Sequence, residues 1–505
     1  ILKVSNMRNY LKSLKKVIVI FALGAVISAC EKYTEGVSEF DPTQPVNASL
    51  GQVINSGEVA YIGFMEGELA RIAGMWTSQF TGVDRQYVAL NNYTSTAPDY
   101  DNAWSNIYAG VLKALRIAQE KALVVNNKRA LALAQILEAH AMVTTASVFG
   151  DIPYSQANDL VDFPNPAFDK QLDVYNAALV LLNTAQANIA GAAAGTSYEG
   201  DFFYSGAASN DAIWKAVANT TKAKIYLHLG QYQNAIDAAN LGLTDPSMDL
   251  VAPHGDIYLS NFNIYYSFMV YDRPGYLAAT DAFAPRLIDP SSTETYNRNN
   301  AKTDESDRYN YSYITDENYA SGYEPNYYSE YDWGAPDGYF GTNTGWAIIA
   351  YRENQLILAE ATLRVVGFNA ALDVLNDYRA YLNDGGYLNP AYYSGAGSYL
   401  AYTATDFANG GIENADNIAP ADALYREIIE EKYVSLLGTI EVFNDMRRKG
   451  FGSFAGKQNW AVLGITPNAG TEIPQRFIIS QAEINSNTSA PNPTPGLFEK
   501  TEVFK

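Results

Sequence analysis

Cysteine is almost absent from this chain of 505 residues: Cys30 is the only one, which excludes any intramolecular disulfide. Histidine is scarce as well. His140, His228 and His254 stand far apart without the spacing of a metal-ligand set, and the first two fall inside apolar helical runs, where packing is their expected role. Cations are outnumbered, 34 Lys and Arg against 55 Asp and Glu, for a net charge of -21 at pH 7. Residues 1–29 hold Lys3, Arg8, Lys12, Lys15 and Lys16 and no acidic residue, so the rest of the chain is more acidic still. Such a body repels nucleic acid and anionic lipid and disfavours polyanionic ligands. No glycine-rich phosphate loop, activated nucleophile or metal-ligand cluster is present, so the chain is not read as an enzyme and no cofactor is expected. Disorder is excluded by what there is: 48% hydrophobic residues against 18% charged supply a large core.

Tyrosine is abundant, 38 residues against 21 Phe and 6 Trp, and it suits both loop packing and recognition surfaces. Met7 reads as a start, followed by basic residues, the apolar run Val17 to Ile27 and then Ser28-Ala29-Cys30. This pattern is expected to be a signal peptide over 1–29, too short for a comfortable membrane span. Residues 30–49, polar and carrying Pro42 and Pro45, read as an extended tether.

Residues 212–246 set the architecture. Trp214, Val217, Thr221, Ile225 and Leu229 recur at helical spacing, as do Ala235, Ile236, Ala239 and Leu243 after the break at Gly230-Gln231-Tyr232. Two antiparallel helices follow, with alanines leaving room for close approach and Asp245-Pro246 stopping the second. The hairpin resembles a tetratricopeptide repeat at Gly230, Tyr232, Ala235, Gly242 and Pro246, with one residue missing before Pro246. One such unit cannot bury its apolar face alone, so stacked neighbours are expected. The candidates are helices over 50–77, 103–121, 129–149, 172–189, 347–366, 369–382 and 421–437, with a further segment at 440–449. Residues 80–102 read as a loop. The Tyr-, Asn- and Gly-rich stretch 249–346 reads as an irregular, surface-forming insert with short strands or helices. The expected division is a scaffold over 50–248, the insert over 249–346, and scaffold, loop and irregular tail over 347–505.

These segments together resemble the SusD/RagB family of outer-membrane lipoproteins of Bacteroidetes. The resemblance rests on Ile27-Ser28-Ala29-Cys30, similar to a bacterial lipobox; on Trp104, Ile107 and Tyr108; and on Val148-Phe149-Gly150-Asp151-Ile152-Pro153-Tyr154. Later it rests on Tyr351-Arg352-Glu353, Leu358 to Ala361, Leu375 to Arg379, Ile428 to Tyr433, Asp445 to Gly450, Ile473-Pro474 with Arg476, and Glu483 to Asn485. One departure, Leu437-Gly438-Thr439-Ile440 where members carry Glu-Gly-Xaa-Arg, is similar to a second SusD-like subfamily. The resemblance implies a mainly α fold, a tetratricopeptide-like helical-hairpin superhelix with a loop-rich ligand-facing insert. It implies a lipid anchor on Cys30 and surface exposure. It further implies capture of oligosaccharide or peptide fragments for a SusC-like TonB-dependent barrel, with no nucleic acid and no membrane contact beyond the anchor. The alternative is a structural scaffold of an outer-membrane complex with a degenerate groove.

A glycan site needs flat aromatic faces plus amides, carboxylates or Arg for hydroxyls. Two stretches supply them: Trp76, Asp84, Arg85, Tyr87, Asn91, Asn92 and Tyr93, then Tyr271, Asp272, Arg273, Tyr331, Asp332 and Trp333. A peptide groove would use the same residue types with more backbone pairing. The acidic runs 303–307 and 406–416 lack EF-hand spacing and read as solvated loops. Glu353 and Glu360, two helical turns apart, are too distant for a retaining glycosidase pair; ion pairing with Arg352 or Arg364, or a bond to a backbone amide, is expected.

Overall fold

The computed structural model describes residues 48–315 and 322–505. The expected signal peptide and Cys30, with nearly all of the tether, lie outside these residues. At the start of the described chain, Ser49 N donates to Gln52 Oε1 (2.9 Å) and Gln52 N to Ser49 Oγ (3.3 Å), a reciprocal cap that opens helix α1, Leu50–Met65. The chain from Val53 to Lys505 forms one unit.

The single helix expected over 50–77 is two, α1 and α2 (Glu68–Trp76). The break has a cause. At Gly67 an added Cβ would sit 2.1 Å from the Gly63 carbonyl, and the bend lets buried Glu66 accept from His254 Nε2 (2.9 Å) and the Ile264 backbone (2.7 Å) of the insert. The expected loop 80–102 contains a strand, β1 (Thr81–Gly82), and a helix, α3 (Arg85–Asn91). The helix expected over 103–121 starts at Asp101, passes through a π-helical segment, Asn106–Leu112, and continues as α4, Lys113–Val124.

From α4 onward the helices stack in sequence. α5 (Lys128–Phe149) packs on α4, α6 (Gln171–Ala190) on α5, α7 (Asp211–His228) on α6 and α8 (Tyr232–Ala239) on α7. After the insert, α9 (Tyr351–Val365) packs on α8, then α10 (Phe368–Asn383) and α11 (Pro420–Ser435) pack on α9, and α12 (Ile440–Arg447) follows. The fold is mainly α, a helical-hairpin superhelix.

The α7–α8 hairpin turns at Gly230, whose φ of +68° is a left-handed conformation glycine adopts without a Cβ clash. Its closing core is largely alanine: Ala223, Ala235, Ala238, Ala239 and Ala361 pack with Leu227, Ile236 and Ile357. Small side chains bring α9 close enough for Asn354 to reach the end of α8. Its Nδ2 donates to the carbonyls of Ala239 (2.9 Å) and Leu243 (3.0 Å), tying α9 to the end of α8 and to the turn that follows it. Helix α5 is long and apolar enough to cross a membrane, yet its most apolar window is wholly buried in protein, as a core helix is.

The insert is irregular, as its composition predicts. The scaffold has its own antiparallel pair, β2 (Ile152–Pro153) with β3 (Phe168–Asp169), between α5 and α6; in the insert, β4 (Leu250–Ala252) and β8 (Trp346–Ile349) pair antiparallel and close its two ends. Between them β5 (Leu277–Ala278) pairs with β1, and β6 (Tyr313–Thr315) with β7 (Tyr323–Pro325).

The polar interior is extensive. Glu353 pairs with Lys224 (2.8 Å) rather than with Arg352, and Glu360 is bound by Arg364 (3.0 Å), Lys432 (3.2 Å) and Arg448 (2.5 Å). His140 meets the Tyr61 hydroxyl at 2.7 Å, and His228 meets Glu441 at 2.6 Å, so both have packed polar partners.

One buried carboxyl makes stability pH-dependent. Burial pushes Glu58 from 4.5 up to about 9, and Asp201 beside it adds to the shift. The folded state keeps this proton after the unfolded chain has lost it, so the contribution is full below about pH 4.5 and lost as pH rises toward 9. Glu58→Gln is expected to stabilise the protein by roughly 5 kcal/mol at pH 8 and to have little effect near pH 4.5. Urea denaturation at the two pH values measures the difference; equal effects at both would contradict it.

Candidate functional site

The second expected stretch comes together as an aromatic surface on the insert. A one-turn helix, Glu330–Trp333, is capped by Ser329, whose hydroxyl accepts from Asp332 N (3.4 Å), and is ended by Gly334 in a left-handed conformation, φ +60°. This turn presents Tyr331 and Trp333 outward, Trp333 at 44% exposure. Trp333 packs on Tyr266, Tyr327 and Tyr328, with ring centroids 6.2, 5.6 and 5.5 Å away. Tyr331 meets Phe262 edge-on at 5.1 Å, Phe262 stacks on Tyr271 at 5.9 Å, and the exposed Tyr258 closes the array on Tyr271 at 5.3 Å.

Asp332 ties the platform together. It accepts from the Tyr271 hydroxyl at 2.9 and 3.0 Å and from the Tyr266 hydroxyl. Desolvation, with the Asp332 carboxylate beside it, pushes the Tyr271 hydroxyl up to about 12, so it stays a donor at neutral pH. Tyr271 lies in a π-helical segment, Ser267–Asp272, whose preceding turn is fixed by Asn263 Oδ1 accepting from Tyr265 N (3.0 Å) and Tyr266 N (3.2 Å). A π-turn re-aims side chains that a regular helix would point elsewhere. Asp272 and Arg273 are exposed at its end, where Arg273 Nη1 donates to the Asp272 carbonyl (2.7 Å).

The first stretch divides. Trp76 is fully buried, its indole donating to the Leu90 carbonyl (2.8 Å) and its ring packed on Phe443 and Phe477, so it offers no face to a ligand. Tyr87 is buried too, accepting from Arg71 Nε (3.0 Å) and lying 5.0 Å from Phe268. Tyr93 accepts from Asn468 N (2.8 Å) within the packing. These three aromatics are corrections to the expected platform: the end of α2 buries Trp76, α3 turns Tyr87 inward and Tyr93 packs just after it, docking the loop. Asp84, Arg85 and Asn92 are exposed; Asp84 caps α3 at Arg85 N (2.9 Å), and Arg85 pairs weakly with it at 3.6 Å.

The β1–β5 pair joins the two stretches, Thr81 opposite Ala278 and Gly82 opposite Leu277. Beside it lies an open cleft of about 410 Å³ between Val83 of the first stretch and Tyr327 and Trp333 of the second, with Met269 and Leu277 in its wall. The scaffold holds this junction from far along the chain. Gln79 Nε2 donates to the Tyr433 carbonyl (2.8 Å), Gly438 N donates back to Gln79 Oε1 (2.9 Å), and the Tyr433 hydroxyl donates to the Thr77 carbonyl (2.8 Å).

Sequence reasoning missed Tyr258, Phe262, Tyr266, Tyr327 and Tyr328. The signal was local density: Tyr258 to Tyr271 holds six aromatic residues and Tyr323 to Tyr339 another six. The acidic runs are engaged within the protein: Glu305 binds Arg308, Asp406 binds Lys302 (2.7 Å) and Asp416 binds Arg426 (2.8 Å). No group of three or more potential metal-ligating side chains occurs among the described residues.

A stack of helical hairpins whose irregular insert carries an exposed aromatic platform beside an open cleft defines a scaffold built to present a surface. The chain belongs to the SusD-like family: the second SusD-like family model, described as starch-binding and associating with outer membrane, matches residues 42–479. Solved structures share the fold. A SusD/RagB family protein of Bacteroides thetaiotaomicron matches 88% of this chain and 95% of its own at 17% identity and a TM-score of 0.60. A SusD homolog of Bacteroides uniformis matches 91% and 100% at 17% identity and 0.62, and a chitin-binding protein matches 90% and 100% at 18% identity and 0.60. No curated protein is significantly similar in sequence.

Proposed function

We propose that this protein is a lipid-anchored, surface-exposed capture protein of the outer membrane, without catalytic activity. It binds oligosaccharide or peptide fragments and delivers them to a SusC-like TonB-dependent barrel. One observation carries the reading: Trp333, Tyr331 and Tyr271 present aromatic faces around a carboxylate on the irregular face of a SusD-like scaffold. Exposed rings stack on the apolar faces of sugars while neighbouring amides and carboxylates take the hydroxyls.

Saccharide is favoured over peptide by the strand edges. A peptide captured by strand addition needs a free edge. At the β1–β5 pair both edges are taken: Gly82 N donates to Asn91 Oδ1 (3.1 Å) and Ala279 N to the Tyr323 carbonyl (3.0 Å). The family description and the chitin-binding neighbour make fragments of starch and chitin the first to test.

The test is extraction of native outer membranes in mild detergent, capture of this protein and mass spectrometry of what accompanies it. A stoichiometric TonB-dependent barrel with a co-purifying saccharide is expected. Assembly machinery in place of a barrel, or no barrel, would overturn the delivery role in favour of a structural scaffold.

A further inference from the structure

A second cleft adjoins the first across the β1–β5 pair. It measures about 380 Å³ and is lined by Thr81, Asn91, Asp281, Arg286, Tyr296 and Thr466, among others. Its boundary with the aromatic cleft is one residue wide. Thr280 lines the aromatic cleft, its carbonyl accepts from the Thr81 hydroxyl, and the next residue, Asp281, lines the second cleft.

The chemistry of the two differs. Where the first offers Trp333 and Tyr327, the second offers small polar groups with unused bonding capacity. Asn91 Oδ1 accepts from Gly82 N (3.1 Å) and Asn468 Nδ2 (3.3 Å), which leaves the amide nitrogen over; that nitrogen and the Tyr296 and Thr466 hydroxyls make no hydrogen bond among the described residues. The Tyr296 ring is fixed by stacking on Phe283 at 4.5 Å and remains half-exposed. The cation of the cleft, Arg286, is already engaged: Nε donates to the Ala282 carbonyl (3.0 Å), Nη2 to the Asp281 carbonyl, and Nη1 faces Glu294 at 3.8 Å. With Asp281 and Glu294 beside it and a chain charge of -21, this cleft does not favour carboxylated or sulfated units. Donors and acceptors of this kind match hydroxyl groups.

We propose that the two clefts are consecutive subsites of one track for an uncharged oligosaccharide. The aromatic cleft stacks one part of the chain, and the Asn91–Tyr296–Thr466 cleft hydrogen-bonds the units that follow. The inference rests on the Trp333 surface being the ligand site, and it adds a length requirement: short fragments occupy only the first cleft, longer ones both.

The experiment is calorimetric titration of the purified protein with maltooligosaccharides and chitooligosaccharides, from disaccharide to octasaccharide. Wild-type protein is compared with Thr466→Trp, which fills the second cleft from an exposed position, and Tyr296→Phe, which removes one hydroxyl. For the series that binds, wild-type affinity is expected to rise with length. Thr466→Trp should lower octasaccharide affinity at least tenfold, to the short-chain value, with short-chain affinity unchanged as the folding control. Tyr296→Phe should weaken only the longer chains, a few-fold. Two variants that bind octasaccharide like the wild type, or a wild-type affinity independent of length, would overturn the second subsite and leave the Trp333 site standing. A wild-type protein that binds neither series at any length overturns the saccharide reading and the track together.

Discussion

Trp333→Ala is expected to weaken binding of saccharide of every length by about thirtyfold, the equivalent of roughly 2 kcal/mol for loss of a central aromatic anchor. The indole is an exposed, broad aromatic face on the insert, and three tyrosines hold it in place from behind. An alanine there removes the stacking surface while leaving Ser329 and Gly334 to keep the turn. The helical circular dichroism and the urea midpoint should therefore stay near the wild-type values. Affinity that is unchanged, with the fold intact, would remove this surface as the site. Tyr87→Ala is a poor companion test. It would vacate a buried position between Arg71 and Phe268, so its effect would be read in stability first.

The second large effect concerns the interior. Arg308 is buried and bonds Glu305 through Nε (2.7 Å) and Nη2 (2.6 Å) and Glu431 through Nη1 (2.5 Å). Arg298 adds bonds to Glu427 and Glu431, each 2.8 Å. The paired cations hold the Glu431 carboxyl well below its ordinary value despite burial. Arg308→Ala would leave Glu305 without its bidentate partner in a place water does not reach. The expected cost is about 3–5 kcal/mol, measured as a lower denaturation midpoint. Adding Glu305→Gln should recover part of the loss, because the stranded charge and not the missing contact carries most of it. Equal stability of Arg308→Ala and wild type would contradict this account. The network joins Glu305 and Arg308, which lie within the insert, to helix α11 of the scaffold, so its loss should also loosen the ligand face.

Helical periodicity carried most of the fold. Helix α7 and the turn at Gly230 lie within a residue or two of the positions their pattern predicts, because helical spacing and a turn glycine are local signals; α8 instead ends at Ala239, short of the expected stop at Asp245-Pro246, where Asp245 caps a separate 3-10 turn, Pro246–Met248. What periodicity did not disclose depends on distant partners. The bend at Gly67 exists because Glu66 serves the insert, the fate of Trp76 depends on how the end of α2 meets Phe443 and Phe477, and that of Tyr87 on which way α3 rolls against Phe268. A run such as Asp84 to Tyr93 reads as an exposed recognition loop in one dimension. In three, half of it is an anchor. Tyr331 and Trp333 were legible because Gly, Asp and Pro around them prevent a long helix that would bury them. The Leu437 to Ile440 departure from the family pattern also has a place: Gly438 bonds Gln79 through its N–H, and its carbonyl accepts from the Tyr265 hydroxyl (2.7 Å). That segment locks the early loop to the insert.

The bond from Gln79 to Tyr433 spans 354 positions of sequence, and the β1–β5 pair spans about two hundred. Loop closure over such separations precedes any gain from the contact, so these links form late. On a chain emerging from its N-terminus, the hairpins through α8 can assemble from neighbouring segments. The early loop can pair with β5 once the insert has been made, but its anchor at Gln79 waits for α11. The fixed relation between the early loop and the insert therefore arrives only with the last fifth of the polypeptide, and a product truncated before Tyr433 would carry the insert's aromatic rings without the scaffold lock that holds the early loop beside them.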